Sequence, residues 1–384
     1  MNRHKIAIIQ THPIQHFCPQ FAKYAKLNSV DLTVIFETDK GYKPYFDAQF
    51  KKEIKWDGID LQNFDHIFLN NKNITEILDK NPPDIIIIYG YHKNVQKKAF
   101  KWGTKNKKKI FYISDSEEHQ KRNIFKRELK KIILKRFFNK IDIFLSVGDA
   151  NEDYYKSNKI KKDRIVRMFF PIDTEKTTGI LKNKKHHRET VRQSYNIPSG
   201  TIIISTIGKL VPWKSQKDII FLLSELEKRN IPAVAFLMGS GPDSRLITSL
   251  SKTLNKNRAI LTGFIQPEIM MQYLSATDIY IHPAKIEPHS LAISEAIYLG
   301  CPVIVSDRCG SYGPTDDVQP GKNGFVYPFG NISVLADNVE FLFRNPDILK
   351  SFSENSLKIG SHNQSLAGGE ALKAALNIIK SQNQ

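Results

Sequence analysis

The chain has 384 residues, of which 41% are hydrophobic and 25% charged, and its formal net charge is +18 at pH 7. This length exceeds a comfortable single core, so two domains are expected. No apolar run in the sequence approaches the roughly 20 residues that span a bilayer. The first apolar run, residues 6–9, is too short for a signal peptide. The three cysteines lack metal-ligand spacing, which favours a reducing cytosol and argues against a structural zinc.

The first half of the chain alternates apolar strands with helical or loop segments, the pattern of a parallel doubly wound sheet. The predicted strands are Lys5–Gln10, Leu32–Phe36, His66–Leu69, Ile85–Tyr89, Ile110–Ser114, Ile143–Val147 and Arg164–Met168. From Asp173 to about Arg192 the chain becomes polar and basic without strand periodicity. This composition predicts an interdomain linker.

A second α/β pattern follows the predicted linker. Its strands are expected at Thr201–Ile207, Ala233–Met238, Ala259–Thr262, Ile279–His282 and Val303–Val305, with a short strand around Phe325. Helices are expected over Ser215–Lys228, Ser290–Leu299 and the tail from Asn363. We therefore expect an N-terminal domain over residues 1–178, a C-terminal domain over 179–362, and a helix over 363–384 that could pack back on the first domain.

Basic residues concentrate between Lys93 and Lys140. Within this region, Lys121–Lys140 interleaves apolar residues with Lys and Arg, which predicts a basic amphipathic helix. Three interpretations stay open: a helix packed on its own domain with solvated lysines, attachment to an anionic membrane surface, and nucleic-acid binding. The last is the least favoured because no nucleic-acid motif accompanies the charge, so no nucleic-acid partner is expected.

Polar residues follow several predicted strands of the first domain. His12 and His16 come after the first strand, His92 after the fourth and Asp115 after the fifth. The carboxyl ends of parallel strands share one edge of the sheet, where ligands approach. Each group alone is more often ordinary loop polarity, but together they indicate a cleft wall. Since no pair of aspartates is spaced to hold a metal with a diphosphate, no metal site is expected.

Two loops of the second domain carry possible ligand contacts. Gly208 directly follows a predicted strand, and Lys209 and Lys214 flank the turn after it. Two cations there could neutralise a diphosphate that leaves an anomeric carbon. Surface lysines would normally be the plainer interpretation, but Gly208 before them and their position after a strand favour the ligand contact. Gly239 begins a Gly-x-Gly-Pro turn, which fits either close approach of the backbone to a ligand or a tight strand-to-helix turn.

The most informative segment runs from Ala276 to Gly313 and reads as strand, loop, helix, Gly-x-Pro and strand. Glu287 lies just before the predicted helix, and Glu295 lies about one turn past Leu291 on the same side. The free N–H groups at the helix start, at Ser290 and Leu291, suit a phosphate. A phosphate between two carboxylates suits a nucleotide-sugar, although a bare pair of glutamates is more often a solvated helix face.

These residues resemble the retaining glycosyltransferases of family 4, which have the GT-B architecture of two Rossmann-like domains with parallel sheets facing across a cleft. The resemblance runs from about Thr201 to Ala336. It rests on Gly208-Lys209-Leu210 with Lys214, Gly239 to Pro242, Glu287 with Glu295, Gly300-Cys301-Pro302, and Asn323-Gly324-Phe325-Val326. In the first domain, His12-Pro13-Ile14-Gln15 and Trp56-Asp57 resemble a bacterial subgroup.

The resemblance implies a role for each matched residue. Lys209, Lys214 and Glu287 form the implied catalytic set, in which the lysines hold the donor diphosphate and Glu287 contacts the transferred sugar. The implied donor-binding residues are Gly208, Gly239, Ser290, Leu291 and Glu295, the last on the ribose hydroxyls. His12, His16, His92 and Asp115 are the acceptor-side candidates. Three departures affect this pattern: lysine for arginine at 209, Ser215 for glycine, and His289-Ser290 for an aromatic-glycine pair.

The implied activity is metal-independent transfer of a sugar from a UDP- or GDP-linked donor, with retention and without a cofactor. The expected acceptor is a glycan or a lipid-linked glycan in bacterial surface polysaccharide assembly. We expect a cytoplasmic protein, peripheral on the inner face of the membrane if the basic helix binds lipid. Alternatives are a GT-B-type nucleotide-sugar epimerase, a phosphorylase, or a non-catalytic transferase-like partner subunit.

Overall fold

The computed structural model describes residues 3–47, 52–54, 58–119 and 134–382. Within them the chain forms two compact units. The first comprises Met1–Val147, Asn151–Pro171 and Gln364–Gln384, and the second comprises Gly148–Ala150 and Ile172–Asn363. Each unit is built around one parallel sheet.

The first unit contains a seven-stranded parallel sheet in the order β5-β2-β1-β6-β7-β8-β9. Its strands are β1 (His4–Gln10), β2 (Val30–Phe36), β5 (Asp65–Phe68), β6 (Ile85–Tyr89), β7 (Lys109–Ser114), β8 (Ile143–Ser146) and β9 (Ile165–Arg167). A separate antiparallel pair, β3 (Tyr45–Asp47) and β4 (Lys52–Ile54), lies between β2 and β5 in the chain. The seven strands predicted for this half are thus all present, with ends that differ from the predicted ones by at most two residues.

Continuous apolar runs explain the central strands of this sheet. The four isoleucines that begin β6 are all buried, as expected for a parallel strand covered on both faces. Helices supply the cover, and two separate apolar clusters lie on the two faces of the sheet. Among the described residues, the helices of this unit include Phe17–Ala25, Ile74–Lys80 and Asn94–Lys105, and the helix Asp149–Ser157 has most of its residues in this unit.

The end of the chain belongs to the first unit. The helix Pro346–Ser365 runs into a wide turn, Leu366–Glu370, and the helix Ala371–Gln382 follows. Gly369 adopts a φ of 133° in the turn, a conformation that favours glycine. The last helix places five buried apolar residues against the core of the first unit: Ala371, Leu372, Ala375, Leu376 and Ile379.

The second unit contains a six-stranded parallel sheet in the order β12-β11-β10-β13-β14-β15. Its strands are β10 (Ile202–Ile207), β11 (Ala233–Met238), β12 (Arg258–Gly263), β13 (Ile279–His282), β14 (Val303–Ser306) and β15 (Gly324–Tyr327). The helices after β10 are Asp218–Lys228, Ser244–Ser251, Pro267–Ala276, Leu291–Tyr298 and Ile332–Arg344. Each strand predicted for this half is present, and β11 and β13 have the predicted bounds.

The polar segment predicted as a linker is helical. Residues 173–192 contribute to two helices, Thr174–Lys182 and Lys184–Ser194, which both belong to the second unit. Ile180 and Val191 are buried against the core of this unit. The prediction of a linker was wrong because so few apolar residues anchor these helices that their periodicity is hidden among lysines and histidines.

In both sheets the order in which the strands are added reverses at one point near the middle. In the first unit the strands that follow β1 are added on one side of it and the strands that follow β6 on the opposite side, so the strand order reverses between β1 and β6. In the second unit the order reverses in the same way between β10 and β13. Ligands of open α/β sheets bind outside the carboxyl ends of the strands at such points. Within the described part of the chain, none of the helices is both long and apolar enough to cross a membrane.

Candidate active site

Three side chains of the second unit meet beyond the carboxyl end of β13. Lys214 forms an ion pair with Glu287, and His282, the last residue of β13, lies 2.8 Å from the same carboxylate oxygen. Lys214 and Glu287 are 73 positions apart in the sequence. The structure therefore brings together two of the residues predicted to be catalytic.

Backbone contacts between two loops place Lys214 beside Glu287. Lys214 ends a short 3₁₀ turn, Pro212–Lys214, that follows β10. The carbonyl of Trp213 accepts hydrogen bonds from the amides of Lys285 (2.8 Å) and Ile286 (3.2 Å). On the other side, the carbonyl of Glu287 accepts a hydrogen bond from the amide of Gly310 (2.8 Å). The loop that carries Glu287 is thus fixed along its backbone on both sides.

Ser215 follows Lys214 with a φ of 52°, in the left-handed region. Glycine fits this conformation with less strain than serine. The departure from glycine at this position therefore costs some backbone energy, and Ser215 offsets part of it with a hydrogen bond from its hydroxyl to the carbonyl of Pro212 (3.2 Å). This turn also delays the next helix, which begins at Asp218 rather than at the predicted Ser215.

The buried groups around Glu287 have shifted pKa values. Burial, with the charge of Lys214, holds the pKa of His282 well below its usual 6.5. A neutral imidazole carries one proton, so Nε2 donates to Glu287 and Nδ1 accepts from the hydroxyl of Tyr280 at 3.2 Å. Burial lowers the pKa of Lys214 to about 8. The Glu287 carboxylate favours the ammonium form, so the lysine is charged at neutral pH.

Sequence reasoning did not identify His282 as a site residue. A histidine that ends an apolar strand looks like the edge of a core, and its contact with Glu287 depends on the path of the following loop. The available signal was its position at the carboxyl end of a strand next to the switch point, where functional side chains concentrate.

The helix Leu291–Tyr298 begins beside this cluster and carries Glu295. Ser290 is the residue before its first turn, and its amide donates to the hydroxyl of Ser311 (2.9 Å). In this state, one of the two amides predicted to face a phosphate therefore has a protein acceptor. Glu295 is 3% exposed, and burial, with the nearby Asp173 carboxylate, raises its pKa to about 8. The carboxyl group is thus largely protonated at neutral pH.

The two predicted glycines fix the loops after β10 and β11 against each other. Gly208 and Gly239 have φ values of 144° and 150°. A Cβ on Gly239 would lie 1.9 Å from the carbonyl oxygen of Gly208, and one on Gly241 would lie 2.3 Å from that of Leu210. The sequence left two explanations for this turn, close approach to a ligand or a tight strand-to-helix turn. The described contacts show something else, the close approach of this turn to the backbone of a neighbouring loop.

Lys209 lies in the same loop, partly exposed. Its carbonyl accepts a hydrogen bond from the side-chain amide of Gln216 (3.0 Å), which ties the loop to the segment before the helix Asp218–Lys228. The backbone at Lys209 is therefore held in place by a side-chain contact, whereas the loop of Lys214 is held by backbone hydrogen bonds.

A second buried polar cluster supports the start of the helix Leu291–Tyr298. His289 Nε2 lies 3.6 Å from Asp316 and 3.7 Å from Asp317. Asp317 accepts from the hydroxyl of Ser294 (2.6 Å) and from the amide of Asn363 (2.8 Å). A histidine and two carboxylates at this spacing could hold a metal. Since both oxygens of Asp317 already accept hydrogen bonds, the arrangement reads as a brace for the helix.

The acceptor-side candidates of the first unit fall into two groups. His92 and Asp115 line one open cavity of about 240 Å³ at the carboxyl ends of β1, β6 and β7. His12 and His16 lie in the segment after β1 and are not among the residues that line this cavity. His12 contacts the hydroxyl of Thr11 (2.9 Å), and burial, with the charges of Lys40 and Lys93, lowers its pKa.

Two predicted features lie wholly or partly outside the described residues. Trp56-Asp57 falls outside them, as do residues 121–133 of the basic stretch Lys121–Lys140. In the remaining part, residues 134–138 are helical, Leu134 and Phe138 are buried, and Lys135 is exposed. This portion thus packs an apolar face on its own unit while it keeps a lysine in solvent.

Comparison with known families identifies the type of domain in the second unit. Residues 187–359 match the family Glycosyl transferases group 1. This region holds all the predicted catalytic and donor-binding residues, from Gly208 to Glu295. It is less than half of the chain, so the match describes a domain.

Solved structures show the fold of the whole chain. A glycosyltransferase from Rickettsia africae superposes with a TM-score of 0.72 at 18% identity, over 99% of this chain and 100% of that one. Anabaena HepE in complex with UDP-glucose gives 0.69 at 14%, over 99% and 100%. The glycosyltransferase WaaG, involved in lipopolysaccharide biosynthesis, gives 0.62 at 15%, over 97% and 99%. The chain therefore has the GT-B fold of two parallel-sheet α/β domains, as predicted.

Sequence relatives match only part of the chain. An uncharacterised glycosyltransferase of Methanocaldococcus jannaschii is 23% identical over 65% of this chain and 63% of its own length. The alpha-D-kanosaminyltransferase of Streptomyces kanamyceticus is 24% identical over 60% and 58%. A GDP-mannose-dependent alpha-mannosyltransferase of Mycobacterium tuberculosis is 26% identical over 48% and 41%. The chain thus spans less than two thirds of the length of these curated relatives.

Proposed function

We propose that this protein is a retaining glycosyltransferase of family 4 that moves a sugar from a nucleotide-sugar to a glycan or lipid-linked acceptor. The observation that carries the proposal is the contact of Glu287 with both Lys214 and His282 beside the start of the helix Leu291–Tyr298. A cation, a carboxylate and a helix N-terminus lie within one domain whose sequence matches glycosyl transferases group 1. The names of its relatives support the same class of reaction.

In this proposal the donor lies along the carboxyl edge of the second sheet. The diphosphate binds between Lys209, Lys214 and the first turn of the helix, where the amides of Ser290 and Leu291 lie. Glu295, one turn further on, binds the ribose hydroxyls. Gly208 and Gly239 contribute by fixing the loops on which the lysines lie, rather than by touching the donor. Binding of the donor replaces Glu287 with phosphate as the partner of Lys214.

The chemistry is heterolysis of the bond between the anomeric carbon and the phosphate oxygen. Positive charge develops on the sugar ring and negative charge on the departing nucleoside diphosphate. Lys209 and Lys214 stabilise the negative charge, and Glu287, once released from Lys214, contacts the transferred sugar. The acceptor hydroxyl attacks from the face that the phosphate leaves, and its proton passes to the leaving phosphate oxygen. The configuration at the anomeric carbon is thus retained without a metal.

The donor is UDP- or GDP-linked in this proposal. Anabaena HepE was solved with UDP-glucose, and the mycobacterial relative depends on GDP-mannose. WaaG acts in lipopolysaccharide biosynthesis, and a Staphylococcus aureus relative is a poly(ribitol-phosphate) alpha-N-acetylglucosaminyltransferase. These names support an acceptor in bacterial surface polysaccharide assembly. A lipid-linked acceptor would place the enzyme on the inner face of the cytoplasmic membrane, through the basic stretch Lys121–Lys140.

Donor hydrolysis tests the proposal without knowledge of the acceptor. The purified chain is incubated with UDP-glucose, UDP-N-acetylglucosamine or GDP-mannose, and release of the nucleoside diphosphate is followed by chromatography. We expect slow release from one of these donors, unchanged by a metal chelator. Proton NMR of the first sugar released should show the anomeric configuration of the donor.

The same experiment separates the alternatives. An epimerase would change the sugar without net release of the diphosphate, and a phosphorylase would need added phosphate. A non-catalytic partner subunit would bind a donor without turning it over. The matched control is Lys217→Ala, which removes a lysine near the turn but outside the proposed site. Release that survives Lys214→Ala, or inverted sugar as the first product, would overturn the proposal.

A further inference from the structure

His282 is held at both ring nitrogens by buried neighbours. It ends β13 and is 2% exposed. Its Nε2 lies 2.8 Å from Oε2 of Glu287, and its Nδ1 lies 3.2 Å from the hydroxyl of Tyr280. Tyr280 lies two positions earlier on the same strand and therefore on the same face of the sheet, and the planes of the two rings are 27° apart. The histidine is thus anchored on a strand rather than on a loop.

Tyr280 fixes which nitrogen of His282 carries the proton. Burial holds the pKa of the Tyr280 hydroxyl well above its usual 10, so the hydroxyl keeps its proton at neutral pH and can donate it to a hydrogen bond. The imidazole is neutral, because burial holds its pKa well below 6.5. Nδ1 then accepts from Tyr280, and Nε2–H donates to Glu287. His282 therefore offers the carboxylate a hydrogen bond but no positive charge.

Lys214 and His282 contact the same oxygen of Glu287 in different ways. Lys214 approaches Oε2 with a charge at the end of a long flexible side chain, which starts from a short 3₁₀ turn. His282 approaches Oε2 without a charge, from a strand of the sheet. Of these two partners, only the lysine has a charge that attracts a diphosphate. A diphosphate would therefore draw Lys214 away from Glu287 and leave His282 in place.

Loss of the lysine alone would leave Glu287 poorly supported. Glu287 is 8% exposed, and a buried carboxylate without a partner takes up a proton or moves toward solvent. A protonated carboxyl group does not stabilise the positive charge that develops on a sugar ring. A hydrogen bond to the ionised form of a carboxyl group favours that form. The contact with His282 therefore supplies what Glu287 needs at the step in which Lys214 binds the donor.

We propose that His282 is a positioning residue, which keeps Glu287 ionised and directed at the sugar after the donor diphosphate has drawn Lys214 away. His282 touches neither donor nor acceptor and acts through Glu287, while Tyr280 acts through His282 by fixing its tautomer. The inference rests on the proposed transferase function, and it adds His282 and Tyr280 to the residues on which turnover depends.

The kinetics of donor hydrolysis test the role of His282. His282→Leu keeps a side chain of similar volume without an N–H, and His282→Gln keeps an N–H that can reach Glu287. We expect His282→Leu to lower kcat about 10- to 100-fold, the effect of losing one hydrogen bond to a charged group, with KM changed less than about twofold. His282→Gln should recover most of the lost kcat. A histidine that only fills the core would tolerate leucine at least as well as glutamine.

A double-variant cycle shows whether His282 acts through Glu287. Glu287→Gln removes the carboxylate charge that His282 is proposed to maintain. His282→Leu should therefore lower kcat no further when it is added to Glu287→Gln. Losses that multiply in the double variant would mean that His282 acts independently of Glu287.

Nitrogen NMR of labelled histidine tests the same contacts without a donor. In the free protein, the ring of His282 should be neutral with its proton on Nε2. Tyr280→Phe should give a mixture of tautomers and a lower kcat. The control Tyr327→Phe removes a buried hydroxyl of the same sheet that has no hydrogen-bond partner among the described residues, and it should change neither. Lys214→Met imitates the departure of the lysine, and Nε2 should keep its proton and its hydrogen bond to Glu287.

Three results would each overturn the inference: a proton on Nδ1 of His282 in the wild-type chain, equal kcat for His282→Leu and His282→Gln, and multiplying losses in the double variant. If His282→Leu does not fold, His282→Gln and Tyr280→Phe carry the kinetic test. The proposed transferase fails in a different way. A wild-type chain that releases no nucleoside diphosphate from any donor removes the proposed function, and the role of His282 in turnover with it. Release by the wild type that His282→Leu leaves unchanged removes only the inference about His282.

Discussion

The two units present their sheet edges in different ways. In the second unit, the loops after β10 and β11 touch through backbone atoms, and only glycine fits at the point of contact. In the first unit, the loops after β1, β6 and β7 meet around a cavity lined by side chains of many kinds. A backbone contact constrains the sequence strongly, whereas a side-chain lining can be built from many residue types. The second unit is therefore recognisable from its motifs, and the first is not.

The largest effect should come from adding a side-chain atom where the two loops of the second unit touch through their backbones. Gly239→Ala places a Cβ 1.9 Å from the carbonyl oxygen of Gly208, at a φ of 150°. The loops must separate, so we expect a loss of about 3 kcal/mol or more in the free energy of unfolding, measured by thermal and chemical denaturation.

Gly90→Ala is the matched change in the first unit. Gly90 also has a positive φ, 81°, but a Cβ there meets only the side chain of Gln96 at 3.5 Å. Backbone strain alone should lower the free energy of unfolding by about 1 kcal/mol. Equal losses in the free energy of unfolding of the two variants would contradict this comparison, in which backbone contacts constrain the second sheet edge and side chains line the first.

Removal of the Lys214 amine should give the next largest effect. Negative charge on the diphosphate grows as the glycosidic bond breaks, so the lysine acts mainly in the transition state. Lys214→Ala should lower kcat by an amount that corresponds to about 2.7–4 kcal/mol, with a smaller change in donor affinity. Steady-state kinetics with the best donor measure kcat and KM. A raised KM with unchanged kcat would show that Lys214 only binds the ground state.

Much of the second unit could be predicted from sequence because its signals are local. Ala233–Met238 and Ile279–His282 are short buried runs with clear ends, and the Glu287–Glu295 spacing places both carboxylates near one helix start. The partnership of His282 with Glu287 was not predictable, because it depends on where Gly310 holds the intervening loop. Position along a chain does not encode such a tertiary contact.

The first unit shows where sequence reasoning stops. Its strands follow from apolar runs, and His92 and Asp115 were expected at the sheet edge. Gln10, by contrast, looks like the polar end of a strand, and only the three-dimensional lining shows that it is buried. The helices over 173–192 were also hidden, since a helix with as few buried apolar residues as Lys184–Ser194 has a weak periodic signal.

A third prediction compares two glutamates within the second unit. Burial raises the pKa of Glu295 to about 8, so between pH 4.5 and 8 the unfolded chain releases a proton that the folded chain keeps. Stability from this group therefore falls as pH rises through that window, by at most about 1.4 kcal/mol per unit of pH. Glu295→Gln should raise the melting temperature at pH 8 and leave it nearly unchanged at pH 4.

Glu340→Gln is the control with the opposite sign. Arg344 and Arg229 hold the pKa of Glu340 below its usual 4.5, so its contribution to stability is present above that pH and is lost in acid. Its replacement should not raise the melting temperature at pH 8. Donor titration completes the test, since Glu295→Gln should weaken nucleotide-sugar binding by about 1–3 kcal/mol while it stabilises the fold. Stabilisation without weaker binding would remove Glu295 from the proposed donor site.

The smallest effect concerns the charge of the first unit. Each lysine near an anionic surface contributes about 1 kcal/mol at most, and salt screens it. The triple change Lys130→Glu, Lys131→Glu and Lys135→Glu should therefore reduce sedimentation with phosphatidylserine vesicles and weaken its salt dependence. The same reversal at exposed lysines of the second unit, Lys252, Lys256 and Lys322, changes the net charge equally and should have little effect. Equal losses in the two triple variants would mean that overall charge, rather than the basic stretch Lys121–Lys140, attracts the protein to lipid. Donor hydrolysis should survive both, because the proposed donor residues lie at the edge of the second sheet.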